Sequence, residues 1–138
     1  MTTILETKLE IKSWDEQPTQ EFDGGRKLTR ADVVLAGVTD GHGDALASGS
    51  FQAVLYYRAD GTSSFVSLMH LTGTLGGRSG SFVLQGEGAY DGTTARSEAT
   101  VVPGSGTDGL AGLRGTAVSA STHADYPFMP LTLTYELE

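Results

Sequence analysis

The chain has 138 residues, with 9 Lys and Arg against 17 Asp and Glu, a net charge of −8, 19 glycines and no cysteine. That length predicts a single domain, 1–138, with one core. The absence of cysteine excludes disulfides, thiolate metal sites and cysteine nucleophiles, and it predicts a cytoplasmic protein. A charge of −8 with scattered cations excludes nucleic acid as a partner. The N-terminus meets Glu6 before any apolar stretch develops, and no apolar run approaches the ~20 residues needed to cross a bilayer, so a membrane is excluded as well.

Taken in order, the chain shows period-two alternation almost throughout. Leu5, Thr7, Leu9 and Ile11 alternate with Glu6, Lys8, Glu10 and Lys12, which predicts a half-buried strand with a charged outer face. Trp14 to Arg26, rich in charge and containing Pro18, Gly24 and Gly25, reads as a loop. Five strands follow, at Lys27 to Val38, Ala45 to Arg58, Ser63 to Thr74, Ser79 to Tyr90 and Thr93 to Val102, all rich in Val, Thr, Tyr and Phe. The dipeptides Asp40-Gly41, Asp60-Gly61, Gly76-Gly77 and Asp91-Gly92 lie between alternating runs and predict tight hairpin turns. Pro103 to Arg114 is too glycine-rich for a helix beyond one short turn, which Leu110 and Leu113 would pack. Gly115 to Thr122 and Met129 to Leu137 complete eight strands. A meander of this size avoids exposed edges by closing, so the expected fold is all-β, a single, mostly antiparallel eight-stranded barrel. Gly49, Gly73, Gly86 and Gly88, inside strands, mark bends or close approaches.

Several motifs are set aside on context. Gly104-Ser105-Gly106-Thr107-Asp108-Gly109 matches a dinucleotide fingerprint, yet no βαβ unit surrounds it, so it reads as a structural loop. His42-Gly43-Asp44 and His123-Ala124-Asp125 lack a spaced third ligand, and no metal or other cofactor is expected. Neither Ser79 nor Ser105 lies in a nucleophile elbow. Arg30 with Asp32, Gln85 with Glu87, and Arg96 with Glu98 each share a strand face, most simply an outer, solvated one. His70 is the one mid-strand imidazole and, if inward, the candidate general base. Phe65 and Met69 lie on one face of their strand and His70 on the other, so they cannot all point inward.

The blocks Lys27-Leu28-Thr29-Arg30-Ala31, Asp60-Gly61-Thr62-Ser63-Ser64-Phe65-Val66, Leu75 to Gln85, and Val101 to Gly106 continuing through Leu110 to Gly115 resemble a bacterial family of unknown function, DUF3224. The resemblance implies a barrel similar to that of allene oxide cyclase, with a central cavity; that relative binds and isomerises an apolar fatty-acid epoxide. Three positions depart from the family pattern. Leu68-Met69-His70 stands where members commonly show Leu-Glu-Arg, Gln85-Gly86 where they show Gln-His, and Ala99 where tryptophan is frequent. These departures imply a wider and more apolar interior.

The expected function is therefore binding of a small, largely apolar molecule inside the barrel, with cyclase or isomerase chemistry as an extension. The expected lining is Tyr56, Phe65, Met69, Phe82 and Tyr90, with Arg30, Gln85 and His70 as polar groups. The rival reading is a non-catalytic structural or interaction protein with a filled barrel, acting through its surface or a homo-oligomer interface. Contiguous apolar residues on the outer face would favour that rival.

Overall fold

The computed structural model describes residues 2–37 and 44–137, so Asp40-Gly41 and His42 lie outside the described residues. Eight strands form an up-and-down ring: β1 (Thr3–Glu21), β2 (Lys27–Gly37), β3 (Ala45–Tyr57), β4 (Ser63–Leu75), β5 (Arg78–Tyr90), β6 (Thr94–Val101), β7 (Arg114–Thr122) and β8 (Phe128–Glu136). Each pairs antiparallel with its neighbours in the chain, and β1 pairs with β8 to close the barrel. The turns at Gly61, Gly76, Gly77 and Gly92 take φ of 60° to 99°, the left-handed region that selects glycine there.

The alternation resolves into two faces. Inward stand Leu9, Val33, Leu35, Leu71, Phe82, Leu84 and Leu133, each at most 2% exposed and together forming one core. Outward stand Arg30, Val54, Val66, Leu68, Glu87 and Val118. In a single-layer ring only the lumen can exclude water from residues on every strand, so the first set fills the interior.

The segment expected to be a loop, from Trp14 onward, is instead the second half of β1 and pairs with β2 as far as Glu21. Its charge and its Pro18, Gly24 and Gly25 give it the composition of a loop, but with irregularities between Ile11 and Ser13 and between Pro18 and Gln20 the stretch continues as strand. Only Asp23–Gly25 makes a short 3-10 turn. Pro103 to Leu113 behaves as expected, with one 3-10 turn at Asp108–Leu110 and both Leu110 and Leu113 buried.

The strands are steeply tilted. A row of paired residues that leaves β1 at Gln17 passes through Arg30, Val54, Val66, Glu87, Glu98, Val118 and Thr132, and returns to β1 at Glu6. Such a stagger makes the rim a spiral. The β1–β2 hairpin stands highest, and from Lys12 to Glu21 strand β1 pairs with β2 alone.

One end of the barrel is sealed. The loop between β6 and β7 crosses β5, where Thr107 N donates to the Ser81 carbonyl and Gly80 lets the Thr107 carbonyl approach its backbone. It carries Leu110 into the core. On the same end Tyr135 OH donates to Asp44, whose other carboxylate oxygen accepts the Gly76 amide at 2.8 Å. Burial, and then the adjacent Asp44 carboxylate, push the Tyr135 hydroxyl up to about 12.

Candidate functional site at the open mouth

The opposite end is lined differently. Below the rim the inward positions of β4 to β7 are small: Ser67, Gly86, Gly88, Ser97, Ala99, Ala117 and Ser119. Gly88 is required by packing, since a Cβ there would lie 2.6 Å from the Phe65 ring. Beneath them, Met69, Leu84, Met129 and Leu131 bound an enclosed cavity of about 30 Å³. That is room for a water, far below the ~300 Å³ and upward of ordinary small-molecule pockets.

On the tall wall made by β1 to β3, a carboxylate is held by three donors. Glu16 pairs with Ala31 and Trp14 with Val33, and both β2 partners are buried, so the two β1 side chains face inward. Glu16 Oε1 accepts Trp14 Nε1 at 2.9 Å, while Oε2 accepts Thr29 Oγ1 at 2.7 Å and Tyr57 OH at 2.6 Å. Trp14, 46% exposed, meets Phe51 edge to face with centroids 5.8 Å apart, and the Lys27 ammonium lies 5.2 Å over the Tyr57 ring.

Burial opposes the charge on Glu16, but hydrogen bonds from Tyr57, Thr29 and Trp14, joined by the Lys27 charge, outweigh it and hold the carboxyl below its usual range. Tyr57 is shifted the other way, by burial and then by Glu16, so it stays a proton donor. A carboxylate offers about four lone-pair directions. Three are taken, and one on Oε1 is left for a donor arriving from the mouth.

The residues expected from sequence divide between the two faces. Phe65, Met69, Phe82 and Tyr90 are on the inner one, Phe82 fully buried near the sealed end and the other three partly exposed. Tyr90 OH donates to the Gly92 carbonyl and lies 3.0 Å from His123 Nε2. Arg30, Tyr56, His70 and Gln85 are on the outer parity, away from the buried core; Arg30 and Gln85 line a groove of about 1120 Å³ on that face and Tyr56 an adjoining one of about 930 Å³. Arg30 sits 3.6 Å from Asp32, Tyr56 packs near Phe22, and His70 is exposed between Ser50 and Val83. The parity containing Phe65 and Met69 points in because it also carries Leu71 and Leu75, the fully buried leucines of β4.

Sequence reading missed Trp14, Glu16, Thr29 and Tyr57 as a set. The available signal was the pair Trp14 and Glu16 at strand spacing. Among the described residues no group of three His, Asp or Glu side chains is arranged to hold a metal. Asp125 instead accepts the Thr122 amide and hydroxyl, an ordinary turn contact. Residues 104–107 run across β5 as loop into the single 3-10 turn Asp108–Leu110, and no α-helix follows.

The molecule is thus a closed eight-stranded meander with a sealed base and a polar cluster at its mouth. The chain belongs to the family DUF3224, described as proteins of unknown function, whose model matches residues 5–135. It is similar to the crystal structure of a DUF3224 protein of unknown function from Shewanella oneidensis MR-1, at 22% identity and a TM-score of 0.73. That alignment covers 100% of this chain and 99% of the other. No curated protein matches the chain.

Proposed function

We propose that the protein binds a small, largely apolar molecule at the open mouth of the barrel, anchored by a hydrogen-bond donor to Glu16 Oε1. The observation that carries this reading is the half-buried, ionised carboxylate with one unfilled acceptor position on the wall above a floor of Gly, Ala and Ser. The enclosed cavity is only water-sized, so the ligand occupies the mouth and makes further depth by rotating Met69 and Met129. Thioether side chains with three soft torsions suit that role. Isomerase or cyclase chemistry, suggested by fold-level analogy with allene oxide cyclase, is the extension of this reading. It would rest on Glu16 as proton acceptor and Tyr57 as donor, because His70 lies outside.

The test is a thermal-shift and dye-displacement screen with fatty acids, terpenoids and polyketide-like aromatics. Binding at a hundred times Kd stabilises by about 2.7 kcal/mol. A hit should raise the Tm of the wild type, raise it less in Glu16→Gln, and leave Ser97→Phe, whose ring fills the mouth, unshifted. If no ligand in these classes shifts the wild type, or if Ser97→Phe responds equally, the mouth is not the binding site.

A further inference from the structure

The outer face carries a groove that the mouth does not use. One cross-strand row of inward residues is small throughout: Ala31, Ala53, Ser67, Gly86, Ala99 and Ala117, on β2 to β7 in register. Side chains of that size cannot hold the wall out, so it sinks inward at this level and leaves only the water-sized cavity behind it. On the outside the same row, from Ala53 onward, floors the groove of about 1120 Å³. Val54, Val66 and Leu68 stand side by side along it, each about half exposed. Beside them Glu87 and Glu98 face each other directly, like charges that destabilise a strand pair. Among the described residues neither glutamate makes an ion pair, and Arg96, the cation of β6, makes none with them.

We infer that this groove is a second binding site, separate from the mouth, for an amphiphilic amine: an extended apolar chain that ends in an ammonium group. The ammonium donates to Glu87 and Glu98 together and neutralises the facing pair, which a neutral or anionic head cannot do. The chain crosses β4 and β3 over Val66, Leu68 and Val54, and covers apolar surface that the fold leaves in water. From the midpoint of the two glutamates to Val54 is two and a half strand spacings, about 12 Å, so the occupant is a chain rather than a compact cation. Arg30 pairs with Val54 at the far end of that path and repels a cation there, which fixes the direction in which the amine lies. The net charge of −8 draws cations to the surface, and the groove sorts them by their apolar part.

Isothermal titration of the full chain at pH 7 with n-octylammonium, n-butylammonium, n-octanol and octanoate tests this. Octylammonium should bind saturably and at least ~10-fold more tightly than octanol or octanoate, since it alone neutralises the glutamates. Butylammonium, too short to reach Val54, should bind at least ~10-fold more weakly than octylammonium. The variant E87Q/E98Q should lose the preference for the amine over octanol, and E87Q and E98Q singly should each lose part of it. Circular dichroism verifies that these exposed substitutions leave the fold intact. Trp14 is the one tryptophan of the chain and stands at the mouth, so its fluorescence should stay constant through the titration. The assignment is overturned if octylammonium does not bind saturably, if octanol, octanoate or butylammonium binds equally well, or if the double variant still prefers the amine. A titration that moves the Trp14 emission would also overturn it, by placing the amine in the mouth and leaving that site standing.

Discussion

Glu16 shows how a single side chain can escape sequence reading. Its neighbours Asp15, Gln17 and Pro18 give the stretch the composition of a loop, and nothing in the chain order announces that Thr29 and Tyr57 converge on it from two other strands. Its titration yields a direct expectation. The folded pKa lies below the ordinary value of 4.5, so the stabilisation is complete above that value and is lost as pH falls through the lower folded pKa. The Tm difference between wild type and Glu16→Gln should be positive at pH 7 and shrink in melts taken from pH 4.5 down to 3. A difference independent of pH would mean that the carboxylate gains nothing from its three donors. His70 illustrates the opposite error. A mid-strand imidazole looked like an inward polar group, yet Leu71 and Leu75 commit the other parity to the core, and a strand has only two faces.

At the scale of elements, most of the fold was legible. Seven strands were placed within about a residue of their ends, because alternation and Asp-Gly or Gly-Gly turns are local signals. The upper half of β1 was not, because its irregularities break the period and its outer edge has no partner to bury it. The same fact predicts its dynamics. Backbone amides of Ser13 to Glu21 have one neighbouring strand, whereas Leu9 and Glu10 pair with both β2 and β8. In native-state hydrogen exchange the stretch Ser13 to Glu21 should open at a lower free energy than Leu9 and Glu10. Equal protection from Leu9 to Glu21 would contradict the pairing described. The edge is defended against stray strands by Pro18, by its irregularities and by charge.

For the whole molecule, the ring leaves no strand first or last in a structural sense. Thr3 pairs with Tyr135, so the two ends of the described chain lie side by side. A circular permutant that links Thr2 to Leu137 through a short Gly/Ser linker and opens the exposed turn between Asp60 and Gly61 keeps all eight pairings. It should retain the native far-UV circular dichroism and a single cooperative melt, whereas removal of β8 should abolish both. A permutant that fails to fold would show that the order of strand formation, rather than the closed set of contacts, governs this barrel.

The sealed base has a kinetic consequence. With Leu110, Leu113 and the Tyr135–Asp44 contact closing one end, a ligand bound at the mouth as proposed must leave by the route it came. In a vessel with one door, narrowing the door slows arrival and departure alike. Substitutions on the upper β1–β2 hairpin that touch no ligand should therefore change residence time while leaving Kd almost where it was. Replacements on the floor should act on departure alone.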